Sequence, residues 1–174
     1  MRSSSSGFTM TEVLVALLVI GTGALAMLML QLHVLRSHRD ATLQASATAM
    51  ALELAELRAA YRAAAPDGPD PYLFVFDASN AATGSTAVAP DCRSGCDADG
   101  FVRAGIAQWN ERLARELPGA HAVVCRDGRT DAGDDWRCDD DPAAAVIVKL
   151  GWRSGADAAR AAQAGPMLAL PIGR

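Results

Sequence analysis

The sequence predicts an α+β protein in which a long N-terminal α-helix precedes a small head built on an antiparallel sheet. Three observations predict this order. Val13 to Leu30 contains no charged residue, and the first proline of the 174-residue chain is Pro66. Short apolar runs separated by turn residues follow that proline, with one amphipathic helix among them. A helix followed by several short strands is typical of the α+β class, in which an antiparallel sheet packs against helices.

The first half of the predicted helix is apolar on every side. The 18 residues from Val13 to Leu30 approach the length needed to cross a hydrocarbon core of about 30 Å. We therefore expect residues 8–31 to form a membrane-spanning helix. Each interior glycine costs a helix about 1 kcal/mol relative to alanine, so any local melting is expected to begin between Gly21 and Gly23.

The second half of the helix, residues 32–63, is predicted to be amphipathic. Apolar residues recur there at spacings of three, four or eight, which is the pattern of one helical face. Arg39 interrupts this face, and Arg58 lies off it. The stripe consists of Leu32, Leu35, Leu43, Ala47, Met50, Leu54, Leu57 and Tyr61.

Residues 64–174 are predicted to form a globular head. Residues 66–71 combine three prolines with an Asp-Gly turn, which ends the helix. Asn80 to Pro90 is small and polar and predicts a loop. Strands are predicted at 72–76, 121–125, 145–152 and 167–172. Between them a helix is predicted, which ends at Pro118-Gly119 and has one apolar face made by Val102, Ile106, Trp109, Leu113 and Leu117.

The segment before the apolar run carries the most specific motif of the chain, Gly7-Phe8-Thr9-Met10-Thr11-Glu12. A charge inside a bilayer span costs about 2.5–3.5 kcal/mol on insertion scales, so Glu12 is a functional candidate. An ordinary secretory signal has its cut site after the apolar segment, whereas the small residue Gly7 precedes it. The motif resembles the class III leader of type IV pilins and pseudopilins.

This resemblance implies processing and a docking residue. Residues 1–7 would be a leader that a prepilin peptidase removes after Gly7. The same enzyme would methylate the new amino terminus, Phe8. Glu12 would be the fifth mature residue and would guide subunit docking by meeting the terminal amine of a neighbouring subunit.

The resemblance also implies a location and a set of partners. The chain would cross the inner membrane once with a periplasmic head, and later join a pilus fibre near its tip. Its partners would be the major pilin, other minor pilins, the prepilin peptidase and the pilus assembly platform. Charge alone does not favour this orientation, because Arg36 and Arg39 follow the span and only Arg2 precedes it.

Several blocks of the head resemble one group of minor pilins, the type IV pilus modification protein family PilV. This resemblance implies a minor pilin that primes or promotes pilus assembly, with fibres used for adhesion or twitching motility. The blocks are Cys92-x3-Cys96, Ile106 to Trp109, Leu113, Leu117-Pro118-Gly119, Val124 to Asp127 and Val146 to Trp152.

The four cysteines allow three pairings, and an exported head is expected to form disulfides. We favour the sequence neighbours, Cys92 with Cys96 and Cys125 with Cys138. The second bridge would stabilise the head by about 3 kcal/mol in the chain-entropy model. A zinc site made by all four thiolates is the alternative, but the 12 residues between Cys125 and Cys138 exceed the usual zinc spacing.

An acidic loop follows, with carboxylates at Asp131, Asp134, Asp135, Asp139, Asp140 and Asp141. A solvated loop is favoured over a Ca²⁺ site, because the spacing is not that of an EF-hand. No metal or other cofactor is expected. The net charge of −4 gives no reason to expect a nucleic-acid partner.

Two other functions stay open beside the minor pilin. A minor pseudopilin of a type II secretion system would share the start Glu12-Val-Leu-Val-Ala16. A membrane-anchored periplasmic enzyme would need a catalytic group. His121 is the one histidine of the head, and the sequence contains no Gly-x-Ser-x-Gly, His-Glu-x-x-His or phosphate-loop motif. We therefore expect no catalytic residues and no enzymatic activity.

Overall fold

The computed structural model describes residues 7, 9–66, 68–81, 92, 95–129, 131, 133–153 and 165–174. The predicted α+β class is confirmed, with a long N-terminal helix followed by a four-stranded antiparallel sheet. The chain divides into two units, Met1–Ala41 and Thr42–Arg174. The elements are α1 (Met10–Ala64), β1 (Phe74–Asp77), α2 (Ala78–Ala81), α3 (Ala98–Glu116), β2 (His121–Arg126), β3 (Val146–Gly151) and β4 (Leu168–Pro171).

In the first unit, helix α1 begins at Met10 and is exposed along its apolar length. It is the one helix, among the described residues, that is long and apolar enough to cross a membrane, by length and composition. The helix continues through Gly21-Thr22-Gly23, where the Thr22 hydroxyl donates to the Leu18 carbonyl at 3.0 Å. Leu32 and Leu35, the first two members of the predicted stripe, are exposed.

In the second unit, the rest of α1 buries one face. Ala47, Met50 and Leu54 of the predicted stripe are buried, and so is Ala51 beside them. Their neighbours in the core come from the sheet and from α3, so this part of α1 forms one wall of the head. The partly buried stripe members that pack against the core are Leu43, Leu57 and Tyr61.

The sheet has the strand order β1-β2-β3-β4, and all neighbours are antiparallel. The central pair is set by Val124 opposite Val148, both buried on the face toward the core. The strands begin one or two residues later than predicted for β1, β3 and β4. The predicted loop at 80–90 lies almost wholly outside the described residues, and its first two residues belong to α2.

Helix α3 starts at an Asp97 cap, whose carboxylate accepts the Gly100 amide at 2.8 Å. An acidic N-cap satisfies amides that have no partner within the helix. The buried face of α3 includes Trp109, and the indole Nε1 donates to the Met50 carbonyl at 3.0 Å. This bond ties α3 to α1 inside the core. The chain turns away after Leu117 through Gly119, which has a φ of 60°.

The position of Arg58 differs from the expectation. The periodicity places Arg58 off the apolar stripe, yet the side chain is 2% exposed. Its Nε donates to Asp70 Oδ2 at 2.8 Å, and its Nη atoms donate to the carbonyls of Ile172 and Arg174 at 3.1 and 3.2 Å. A buried charge is tolerated when it is paired and hydrogen-bonded. Arg58 thereby joins α1 to the segments before β1 and after β4.

Candidate functional site

The candidate processing site lies at the start of the chain. Gly7 is exposed, and a Cβ added there would meet no atom within 4 Å. Phe8, the predicted methylated residue, lies outside the described residues. The fold therefore gives no packing reason for a glycine at position 7.

Thr9 and Glu12 form a capping box at the start of α1. The Glu12 amide donates to Thr9 Oγ1 at 3.4 Å, and Glu12 Oε2 accepts from the Thr9 amide at 3.5 Å and from its hydroxyl at 3.4 Å. In this arrangement each side chain satisfies an amide of the other residue. A carboxylate in the first turn is also favoured by the helix macrodipole. Glu12 thus helps to cap the first turn of α1 in its own chain.

The same carboxylate is available to a partner. Glu12 is exposed, and the bonds to Thr9 engage Oε2. A carboxylate has about four acceptor sites on its two oxygens, so a cationic group can bind while the cap is kept. The local geometry is compatible with the predicted docking role of Glu12.

The four cysteines form two disulfides, and both join the sequence neighbours that were favoured. The Cα atoms of Cys92 and Cys96 are 5.0 Å apart, and those of Cys125 and Cys138 are 6.3 Å apart. All four thiols are consumed, so none remains as a thiolate ligand for zinc.

A buried ion-pair network lies inside the loop that the second disulfide closes. The side chains of Asp127 and Lys149 are both fully buried, with Nζ 2.7 Å from Oδ2. Lys149 also donates to the carbonyls of Asp135 at 3.1 Å and Arg137 at 2.5 Å. Arg129 bridges the carboxylates of Asp127 and Asp135 at 2.9 and 2.8 Å. Lys149 therefore joins the loop to strand β3, and Arg129 links two carboxylates within the loop.

The network shifts the titration of its carboxyl groups. Hydrogen bonds from Arg129, and then from Lys149, hold the pKa of Asp127 well below its usual range against the opposing effect of burial. Hydrogen bonds from Arg129 and Arg137 lower the pKa of Asp135 in the same way. Both carboxyl groups are therefore ionised at neutral pH.

Carboxylates of the acidic loop accept hydrogen bonds from nearby backbone amides. Asp139 Oδ2 accepts the Gly128 amide at 3.0 Å, and Asp141 Oδ1 accepts the Ala143 amide at 2.9 Å. Among the described residues, no group of three or more His, Cys, Asp or Glu side chains is placed to hold a metal ion. The calcium alternative therefore has no ligand cluster in that part of the chain.

His121 lies at the first position of β2, with Nδ1 3.4 Å from Asp77 Oδ2. The other oxygen of Asp77 accepts the Ser79 hydroxyl at 2.5 Å. Asp77 thus stands between Ser79 and His121, whereas nucleophilic catalysis needs the imidazole next to the hydroxyl. These three residues form a polar cluster where β1 ends and β2 begins.

Sequence reasoning missed two features, the buried ion pair of Lys149 with Asp127 and the capping box of Thr9 with Glu12. Lys149 interrupts the apolar run of β3, and a lone lysine in a buried strand is a signal, since lysine is almost never fully buried unless paired. Asp127, two residues after Cys125, could have been suggested as the ion-pair partner of Lys149. The capping box follows directly from the Thr-x-x-Glu spacing of Thr9 and Glu12.

The layout is pilin-like, with a membrane-length apolar helix followed along the chain by a small α+β head. Residues 2–28 match the family model described as the prokaryotic N-terminal methylation motif. This match supports a type IV pilin-like or pseudopilin protein, a class that is typically structural rather than catalytic. Neither the curated proteins nor the solved structures contain a significant match to the chain.

Proposed function

We propose that this protein is a minor pilin that primes or promotes assembly of type IV pili. It is inserted in the inner membrane, cut after Gly7, and methylated at Phe8. Its apolar helix then leaves the bilayer and packs among other pilin helices, with the head near the pilus tip. The division that follows from this function is a leader at 1–7, a filament-core helix at 8–31, an amphipathic helix at 32–63 and a periplasmic head at 64–174.

One observation carries the proposal. The methylation motif spans residues 2–28 and leads into an exposed apolar helix that ends in a disulfide-bonded head. An exposed apolar surface of this length needs lipid or other apolar helices around it. Disulfides persist in oxidising compartments, which supports an exported head.

The finer assignment, to the PilV group of minor pilins, rests on the head. Its resemblance lies in the blocks from Cys92 to Gly119 and in β2 and β3. In the structure those blocks form the first disulfide, helix α3 with the core residue Trp109, and the two central strands. The resemblance therefore involves the residues that build the core of the head.

The decisive experiment is mass spectrometry of protein recovered from sheared pili. Digestion with trypsin is expected to release a peptide from Phe8 to Arg36 that carries an N-terminal methyl group. This peptide would report cleavage, methylation and incorporation together. If only uncut protein is recovered, and only from membranes, the proposal is contradicted.

Gly7→Val provides a variant that separates processing from folding. Position 7 has open space around its Cα, so the fold should tolerate a larger side chain there. We expect the variant to accumulate uncut in the membrane. Gly23→Ala is the matched control, since it also adds a Cβ in open space, and it should be processed normally.

A minor pseudopilin of a type II secretion system is the second candidate, because the motif match is common to both classes. A deletion strain distinguishes them. Loss of surface pili and twitching with normal secretion of exoproteins supports the pilus assignment. Loss of exoprotein secretion with normal pili supports the pseudopilin.

A further inference from the structure

We propose that Arg36 and Arg39 form a binding site for the headgroups of anionic phospholipids, on the side of the membrane that faces the head. The inference rests on the proposed membrane insertion of α1 and goes beyond it by naming a ligand. It also gives a role to the two cations that the orientation rule leaves unexplained.

The position of the two arginines along the helix is the first argument. No Asp, Glu, Lys or Arg occurs between Val13 and Leu35, a stretch of 23 residues. At 1.5 Å per residue it is about 34 Å long, which matches a hydrocarbon core of about 30 Å. Arg36 and Arg39 follow Leu35 by about 2 and about 6 Å along the axis. These depths fall within the headgroup layer, which is about 5–8 Å thick on each side.

The direction of the side chains is the second argument. Arg36 and Arg39 are three residues apart and are therefore neighbours on the helix surface. Leu32 and Leu35 lie four residues before them, on the same face, and all four side chains are exposed. Side chains on a helix lean toward its N-terminus, which here means toward the bilayer. Each arginine stem can lie over a leucine while its guanidinium stays at the level of the phosphates.

Charge is the third argument. The segment from Val13 to Arg39 carries two positive charges and no negative one, and residues 36–40 keep a net charge of +1 when the adjacent Asp40 is included. A guanidinium binds phosphate with two parallel hydrogen bonds, which favours arginine at such a site. Each basic residue next to a membrane span raises the affinity for anionic lipid by roughly fivefold. An acidic protein partner is the alternative ligand, and the experiment separates the two.

The test uses the full-length protein in nanodiscs that contain phosphatidylcholine and phosphatidylglycerol. Native mass spectrometry of protein released from the discs gives the ratio of the two lipids that stay bound. We expect wild-type protein to be enriched in phosphatidylglycerol over the bulk ratio. Arg36→Gln/Arg39→Gln should return the bound ratio to that of the bulk, whereas Arg36→Lys/Arg39→Lys should keep most of the enrichment.

The matched control is Arg103→Gln/Arg115→Gln, which removes the same charge from exposed positions on α3 of the head. It should leave the enrichment unchanged. A bulk ratio in the wild type, or enrichment that survives the Arg36→Gln/Arg39→Gln change, would overturn the inference. Loss of pilus incorporation in that variant with an unchanged lipid ratio would assign the arginines to a protein partner instead. Failure of the wild type to enter any bilayer would overturn the membrane anchor itself, which is a different result from entry without lipid preference.

Discussion

Glu12 combines two tasks in one carboxylate. It closes a capping box with Thr9 in its own chain, and under the proposed function it also meets the amine of a neighbouring subunit. The first task requires an acceptor oxygen at this position, and the second requires a negative charge. Glutamine can replace glutamate in a capping box but carries no charge. The two tasks can therefore be separated by a change of one atom.

We predict that Glu12→Gln keeps membrane insertion and the first turn of α1 but lowers incorporation into pili several-fold. Glu12→Ala should lower incorporation as well, and should also cost about 1 kcal/mol of helix stability through loss of the cap. Thr9→Ala is the matched control, because it weakens the cap and keeps the charge. Incorporation is measured by immunoblotting sheared pili against total membranes. Normal incorporation of Glu12→Gln would remove the charge-based docking role.

Asp127 is one of two carboxyl groups that make the head sensitive to acid. Its pKa is lowered in the folded head by Arg129 and Lys149. A carboxyl group with a lowered folded pKa contributes stability above its unfolded pKa of about 4, and that contribution is lost as the pH falls further. We predict that the free energy of unfolding of the full-length protein in micelles decreases below about pH 4.

Asp127→Asn should reduce this acid dependence, and the part that remains comes from Asp135. At neutral pH it should also destabilise the head by about 3 kcal/mol, because it leaves Lys149 buried without its charge partner. Asp131→Asn is the control, since Asp131 is exposed and 3.7 Å from Arg129. Urea unfolding across a pH series provides the measurement. Parallel curves for wild type and Asp127→Asn would contradict the assignment.

At the scale of elements, periodicity was a reliable guide and charge placement was not. The apolar faces of α1 and α3 were predictable because a 3.6-residue period is a local property of the sequence. The burial of Arg58 was not predictable, because its partners lie 12 to 116 residues away in the chain. The start of β1 at Phe74 instead of Tyr72 is set by its pairing with β2, which is also non-local.

The contact between α3 and α1 gives a prediction at this scale. Trp109 is fully buried, and its indole donates to the Met50 carbonyl. Trp109→Phe keeps most of the apolar surface but removes this bond and leaves a small cavity. We expect a loss of about 1–2 kcal/mol in the free energy of unfolding.

Urea unfolding followed by far-UV circular dichroism measures this loss. Trp136→Phe is the matched control, because Trp136 is only half-buried and its indole lies outside the main core. It should cost less than Trp109→Phe. Equal stability of Trp109→Phe and wild type would show that the bond between α3 and α1 adds nothing.

At the scale of the whole molecule, three kinds of interaction hold the head together. Its core joins α1, α3 and the sheet, Arg58 joins α1 to both flanking segments, and the disulfides close loops. Two interactions hold the loop between Cys125 and Cys138, namely the disulfide and the hydrogen bonds from Lys149 of strand β3. Reduction should therefore loosen this loop without unfolding the head.

We predict different costs for the two bridges. Cys125→Ser/Cys138→Ser opens a loop with a sequence separation of 13 and should cost about 3 kcal/mol, and Cys92→Ser/Cys96→Ser, with a separation of 4, about 2 kcal/mol. Thermal unfolding of the oxidised variants and of the reduced wild type provides the comparison. A larger loss for the Cys92 and Cys96 variant would contradict the chain-entropy explanation.

The setting of Trp136 has a practical consequence for such measurements. Trp109 and Trp152 are 0% and 1% exposed, whereas Trp136 lies half-buried over Gly151, with its ring 4.5 Å from that of His121. It also stands two residues from Cys138 in the loop that the disulfide closes. Indole emission is quenched by a nearby disulfide and by a protonated imidazole, and it shifts to the red on contact with water. Opening of this loop is therefore expected to change the emission of Trp136, whereas Trp109 and Trp152 stay buried until the head unfolds.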